Sequence, residues 1–227
     1  MHSTSSSHSS LPAALGLAAL GLLSLGLSAA PAHAQTQDLF VSNLYGGTIS
    51  RFAGTGPGTF STTAIPLSGG LSTPAGLAFD AKGNLFVANS AGSDSITEFA
   101  AGATPGTLKA GTIALTGGGL AEPYDLAFDA RGNLFTSNVL GTTITEFAFT
   151  PGVGIAPGTF GAGIAAATGL NSPAGLAFDA SGDLFVGSYY GGTITKLAVG
   201  ATPGTFGTGK VVETGLSTPA YLAFGPL

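Results

Sequence analysis

One segment recurs four times in this chain, and that recurrence restricts the fold more than any other feature. Aligned on Leu71, Leu120, Leu170 and Leu216, successive units start 49, 50 and 46 residues apart. Each start is followed by a proline (Pro74, Pro123, Pro173, Pro219) and then by Leu-Ala-Phe, at residues 77–79, 126–128, 176–178 and 222–224. A period of this length marks one supersecondary unit that buries its apolar surface against copies of itself.

Within a unit the strands can be read in order. The Leu-Ala-Phe segment is the first. A tight polar turn follows in three units, Asp80-Ala81-Lys82-Gly83-Asn84 and its equivalents at Asp129 and Asp179. Its Gly supplies a positive φ and its Asp bonds the backbone ahead, so the flanking strands form an antiparallel hairpin. The second strand lies at 85–89, with copies at 39–43, 134–138 and 184–188, and the third at 96–99, 49–52, 144–147 and 194–197. A fourth is expected after each Pro-Gly-Thr turn, at Pro57, Pro105, Pro157 and Pro203, where one large apolar residue follows (Phe60, Leu108, Phe160, Phe206). With 38 Gly and 13 Pro the composition approaches that of low-complexity chains, but every Phe except Phe149 keeps its place in the repeat, a register disorder would not hold.

The strands are nearly continuous apolar runs, as expected when both faces of a sheet are covered. The reading is therefore all-β: a β-propeller, most simply four blades of four antiparallel strands. The repeat begins on a second strand at Leu39 and ends on a first strand at 222–224, so pairing the C-terminal strand with the N-terminal partial blade closes the ring and removes both open edges. The same count also permits a share in a larger ring, or one formed by two chains. A monomer is the expectation from sequence.

Residues 1–34 have a different composition: a Ser-rich start, an apolar run over 11–30, and Ala32-His33-Ala34 before Gln35. This predicts a cleaved signal peptide, followed by a propeller over 35–227 that is secreted or periplasmic, with no membrane association after cleavage. A net charge of −5 from 6 basic and 11 acidic residues provides no basic cluster for a phosphate backbone, so nucleic acid is excluded as a partner. The chain has no cysteine, which excludes disulfides and thiolate chemistry.

The run Asp80-Ala-Lys-Gly-Asn-Leu-Phe-Val-Ala-Asn-Ser, with 96–99 following, resembles the NHL repeat and its bacterial relatives. That resemblance, to virginiamycin B lyase-like and gluconolactonase-like propellers among others, implies the fold more than an activity. The lyase-like relatives rely on histidine, whereas all three histidines here (His2, His8, His33) lie in the leader. The gluconolactonase-like relatives imply a divalent cation, Ca or Mg, held by carboxylate and amide oxygens; the candidates here are Glu122, Asp125, Asn43, Asn89 and Asn138. No metal ligand is assigned, and the three Asn also suit strand-end turns.

Residues that break the repeat say more about function than those that keep it. Thr73-Pro74-Ala75-Gly76 becomes Glu122-Pro123-Tyr124-Asp125 in the next unit, and the Gly76 position becomes Tyr221 in the last. Propeller topology sends the loop entering the first strand and the loop between the second and third strands to one face, around the channel mouth. All five tyrosines (Tyr45, Tyr124, Tyr189, Tyr190, Tyr221) fall there, with Asp94, Glu122 and Asp125 and no Lys or Arg. Such a face suits a sugar, another polar small molecule or a cation. The expected function is a non-catalytic binding or scaffold propeller for a polar small molecule, carbohydrate or protein. The alternatives are a divalent-metal-dependent lactone hydrolase or lyase and a structural or adhesive matrix protein. Arg51, Glu98, Glu146 and Lys196, at one equivalent third-strand position, are expected to be solvated or loosely paired.

Overall fold

The computed structural model describes residues 37–104, 106–153, 158–202 and 204–225. The signal peptide expected over 1–34 and the turn prolines Pro105, Pro157 and Pro203 lie outside them. Residues 35–227 form a compact unit of their own.

The first sheet contains β1 (Leu39–Asn43) and β2 (Thr48–Phe52), joined by a 3-10 turn at Leu44–Gly46, then a two-stranded ribbon of β3 (Gly54–Gly56) and β4 (Thr59–Phe60), and β5 (Ile65–Leu67). The second contains β6 (Pro74–Phe79), β7 (Leu85–Asn89), β8 (Ser95–Phe99) and β9 (Thr112–Thr116). The third contains β10 (Pro123–Phe128), β11 (Leu134–Asn138) and β12 (Ile144–Phe147), a ribbon of β13 (Phe149–Thr150) and β14 (Thr159–Phe160), and β15 (Ile164–Ala167). The fourth contains β16 (Pro173–Phe178), β17 (Leu184–Ser188), β18 (Thr193–Leu197) and β19 (Lys210–Glu213). The β3–β4 and β13–β14 ribbons are separate two-stranded sheets; apart from them, the last three blades have four antiparallel strands in sequence order, as in propeller blades, and the first has three, in the order β1-β2-β5.

The polar turns form as their sequence requires. Asp80 Oδ1 accepts the Lys82 and Asn84 backbone N–H groups at 2.8 and 2.9 Å, while Gly83 takes φ 82°. The segment after the third strand differs from expectation: in the first and third blades it includes a short ribbon, in the second and fourth a single bridge (Ala101↔Leu108 and Val199↔Phe206), and the fourth strand comes later. The ribbon is pinned by the residue before each second strand. The side-chain oxygens of Asp38, Asn84, Asn133 and Asp183 accept the N–H of Gly54, Ala101, Phe149 and Val199.

The ribbons carry their apolar residue to the seam between blades. Phe160 lies against Phe86 of the preceding blade, with Phe128 edge-on to the same ring at 5.3 Å. Phe206 lies against Phe135 and Phe178 in the same way. Three cores result, one at each seam: Ile49, Leu85, Val87 and Phe99; then Phe86, Ile96, Leu126, Leu134 and Phe147; then Phe135, Ile144, Leu176, Leu184 and Leu197. Burial on both faces of a blade is what the continuous apolar runs required.

The pairing expected between residues 222–224 and β1 is not made. β1 pairs with β2 alone, and residues 219–225 belong to no sheet. The segment instead packs beside the fourth blade, with Phe224 edge-on to Phe185 at 5.1 Å.

Candidate functional site

The two loop classes do share one face. The Ser90, Val139 and Tyr189 N–H groups, in loops between second and third strands, donate to the Thr73, Glu122 and Ser172 carbonyls, in loops entering first strands. Each entering loop turns through one left-handed residue: Thr73, Glu122, Ser172 and Thr218, at φ 47°, 49°, 46° and 45°. Non-Gly residues seldom adopt that conformation, so the position is held by the blade around it. Glu122 therefore takes its backbone shape from the repeat and changes only the side chain. Asp94 is committed locally, its Oδ1 accepting the Glu122 N–H at 2.8 Å from the neighbouring blade.

Across adjacent first-strand segments the repeat-breaking residues alternate with glycine, for a steric reason that sequence alone conceals. A Cβ on Gly76 would stand 2.6 Å from Asp125 Cα, and one on Gly175 would stand 2.7 Å from Tyr221 Cα. Gly76, Asp125, Gly175 and Tyr221 occupy one repeat position in successive units, so small and large residues alternate to let adjacent first-strand segments approach. Asp125 and Tyr221 thus have a packing role as well as any chemical one.

Tyr124 and Tyr221 stack at 5.6 Å between ring centroids, across the intervening β16. Tyr221 is 58% exposed, so the pair presents a ring to solvent. Its hydroxyl is held above the usual phenol range, by burial first and then by the neighbouring Tyr124 hydroxyl and the Asp125 carboxylate. Asp125 is only 8% exposed. Its Oδ2 accepts the Leu176 N–H of the next blade and its Oδ1 the Leu126 N–H, both at 2.9 Å. Burial pushes its carboxyl up to about 6, and the two N–H groups act the other way. The structure thus brings Tyr124, Asp125 and Tyr221 together. Tyr189 and Tyr190 form their own edge-on pair at 5.1 Å, and Tyr45 is almost wholly exposed on its turn.

The raised Asp125 pKa gives a pH prediction. The folded state binds this proton more tightly than the unfolded chain, so its contribution is fully present below about pH 4 and is lost as pH rises through about 6. A rise of this size is worth roughly 3 kcal/mol. Glu98 and Glu146, raised by burial and by Asp80 and Asp129, act in the same direction, while Asp183, lowered by Lys196, acts oppositely at acid pH. Urea unfolding between pH 4 and 7 is expected to show falling stability, and Asp125→Asn to flatten much of that fall; an unchanged slope in the variant would refute the assignment.

Two of the three amide candidates for a cation, Asn89 and Asn138, are already committed, while Asn43, among the described residues, only donates, to Thr48 and Ser50. Asn89 and Asn138 are fully buried, and their Oδ1 atoms accept the Ser72 and Ala121 N–H groups at 3.0 Å. Their Nδ2 atoms donate to Ser95 and Thr97, and to Thr143 and Thr145. They are strand-end staples. Among the described residues no group of three or more acidic or histidine side chains is placed to hold a metal ion. The third-strand charges are also less solvated than expected: Arg51 pairs with Asp38 at 2.5 Å, Lys196 with Asp183 at 2.6 Å, and Glu146 is buried.

Sequence reasoning did not find a cleft of about 1040 Å³ that lies between the first two blades and not at the tyrosines. Asp38, Phe40, Arg51, Phe79, Lys82 and Leu108 line it. Leu108 stands where later seams have Phe160 and Phe206, and the shorter side chain leaves the Phe79 ring exposed. That Phe-to-Leu change is the signal in the sequence.

The class of protein follows from these sheets and seams: a β-propeller. Among solved structures the chain is similar to virginiamycin B lyase from Staphylococcus aureus (TM-score 0.60, 14% identity, 83% of this chain over 56% of that one). It is also similar to a gluconolactonase from Xanthomonas campestris (TM-score 0.56, 20% identity, 82% over 62%) and to a chain of a nidogen/laminin complex (TM-score 0.60, 19% identity, 83% over 65%). Identities this low establish the fold alone, and the chain spans little more than half the length of the lyase. No protein-family model matches the sequence. No curated protein matches it either.

Proposed function

We propose that this is an exported, non-catalytic binding propeller that takes a polar ligand, a carbohydrate by preference, at the channel mouth. The observation that carries this reading is the stacked Tyr124–Tyr221 pair beside the buried Asp125 carboxylate. Aromatic faces stack on the apolar faces of sugar rings, and each Asp125 oxygen, although it already accepts one backbone N–H, keeps a second lone pair that can accept a hydroxyl. Tyr45 and Tyr190, exposed in loops of the same class, extend the polar aromatic character of this face.

A second reading, a lactone hydrolase or lyase, is favoured by the similarity to lyase and gluconolactonase propellers. Asp125, near neutrality in its pKa, is the group such chemistry would use as a base.

The test is a thermal-shift titration of the exported protein with neutral oligosaccharides, and separately with Ca²⁺ and Mg²⁺. A saturable rise in Tm with a sugar is expected, because a ligand that binds only the native state stabilises it by mass action. Tyr221→Ala is expected to abolish that response while shifting the unliganded Tm little, since the residue is more than half exposed. A response to the cations alone would transfer support to the hydrolase reading, and no response to any of them would leave the structural or matrix reading.

A further inference from the structure

The two ends of the arc are the two halves of a fourth seam. On the first blade, Leu39 is 44% exposed, whereas its equivalents Leu85, Leu134 and Leu184 are 0% exposed. Phe60, the counterpart of Phe160 and Phe206, is 41% exposed, and no ring among the described residues lies against it. At the other end, Phe185 and Phe224 already make the edge-on contact that Phe86–Phe128 and Phe135–Phe178 make at complete seams. Phe185, Ile194, Leu222, Ala223 and Phe224 line an open hollow of about 160 Å³ where a ribbon phenylalanine would sit.

The backbone is prepared in the same way. Thr218 holds the left-handed conformation of the other entering loops, and the Leu216 N–H donates to Gly192 O as Leu170 N–H does to Thr142 O. Asn43 donates to Thr48 and Ser50, but among the described residues no backbone N–H reaches its oxygen as Ser72 and Ala121 reach those of Asn89 and Asn138. Ser217 is the residue at that repeat position. The alternation of Gly76, Asp125, Gly175 and Tyr221 also returns in register to a Gly76 at the junction.

We propose that a second copy of this chain supplies the missing partner: residues 216–224 of each copy complete the first blade of the other, giving one closed ring of two chains. The occupant is a second copy because each end carries what the other lacks. The chain matches 56% of the lyase chain with 83% of its own length, so one copy follows little more than half the course of that longer propeller. A contact of this head-to-tail kind closes only if the rotation is right, and two copies of an arc near half a ring satisfy that condition. The pairing does not depend on what binds at the channel mouth.

The test uses the exported protein in two measurements. Light scattering on the unaltered protein at micromolar concentration is expected to give the mass of two chains, and Phe60→Asp the mass of one, with unchanged circular dichroism. The second measurement exploits the absence of cysteine. The registers Leu77↔Val87, Leu126↔Thr136 and Leu176↔Val186 place Leu222 opposite Val41. Mixed Val41→Cys and Leu222→Cys proteins are expected to form a disulfide-linked pair on oxidation, which only pairing between chains allows. A single-chain mass for the unaltered protein overturns the proposal, as does a self-closing disulfide in the double variant without cross-linking of the mixed single variants. An open ladder of higher oligomers overturns the closed ring.

Discussion

Phe135→Ala is expected to cost about 3–5 kcal/mol, the range for emptying a fully buried aromatic site. Phe135 is almost wholly buried and meets Phe178 and Phe206 edge-on at 5.2 and 5.6 Å, so its removal takes the central ring from the seam between the third and fourth blades. Urea unfolding monitored by circular dichroism measures it, read as a lower midpoint at constant m-value. Phe60→Ala is the internal control: it removes the same residue type from a ribbon position of the first blade that is exposed in a single copy. A loss below about 1 kcal/mol is expected there under conditions that keep the chain monomeric. Equal losses at the two sites would show that the seams are not the unit of stability.

Asn89→Leu is expected to cost roughly 2–4 kcal/mol even though it keeps the branching of the side chain, because the site is polar and closed to water. The Asn89 amide donates to Gly70 O at 3.1 Å, Ser95 Oγ at 3.0 Å and Thr97 Oγ1 at 2.9 Å, and accepts the Ser72 N–H at 3.0 Å. Leucine makes none of these bonds and leaves the Ser72 N–H facing an alkyl group. Because Asn89 anchors the loop entering β6, faster amide exchange at Ser72 and Ser90 is the accompanying signature, seen by NMR. A variant as stable as the parent, with both amides still protected, would make Asn89 Oδ1 once more a free oxygen available to a cation.

The strands are legible in the sequence because each depends on local chemistry. The Asp-x-x-Gly turn needs only an acceptor at Asp80 and a positive φ at Gly83, and the apolar runs at 85–89 and 134–138 need only a cover on each face. The fourth strand is not legible in the same way, because a Pro-Gly-Thr turn specifies a reversal but not which strands it joins. The ribbon is identified by the Asp38 and Asn133 side chains, 16 residues from the Gly54 and Phe149 N–H groups they accept. Glu146 reads as solvated in sequence because its strand alternation is uninformative; the turn of the next blade buries it, with Gly204 beside its carboxylate.

The site divides in the same manner. Departure from the repeat singles out Tyr124, Asp125 and Tyr221, and the structure places them together. Asp94 stands out equally well but caps the Glu122 N–H, and Asn89 and Asn138, candidates for a cation, bond the backbone of their own loops. Which candidates converge depends on distances across blades, between residues as far apart in sequence as Asp125 and Leu176.

Periodicity, turn residues and loop class are properties of neighbouring residues, so the repeating unit, its antiparallel strands and the face that carries the tyrosines can all be read along the chain. The packed fold was needed to show that Gly76 and Gly175 make room for Asp125 and Tyr221, that Asp125 sits dry enough to titrate near pH 6, and that β1 and residues 216–224 remain unmated. Those outcomes are set by how closely one blade approaches the next. That spacing comes from side chains on different repeats meeting at a seam, and no window of a single repeat contains both sides of it.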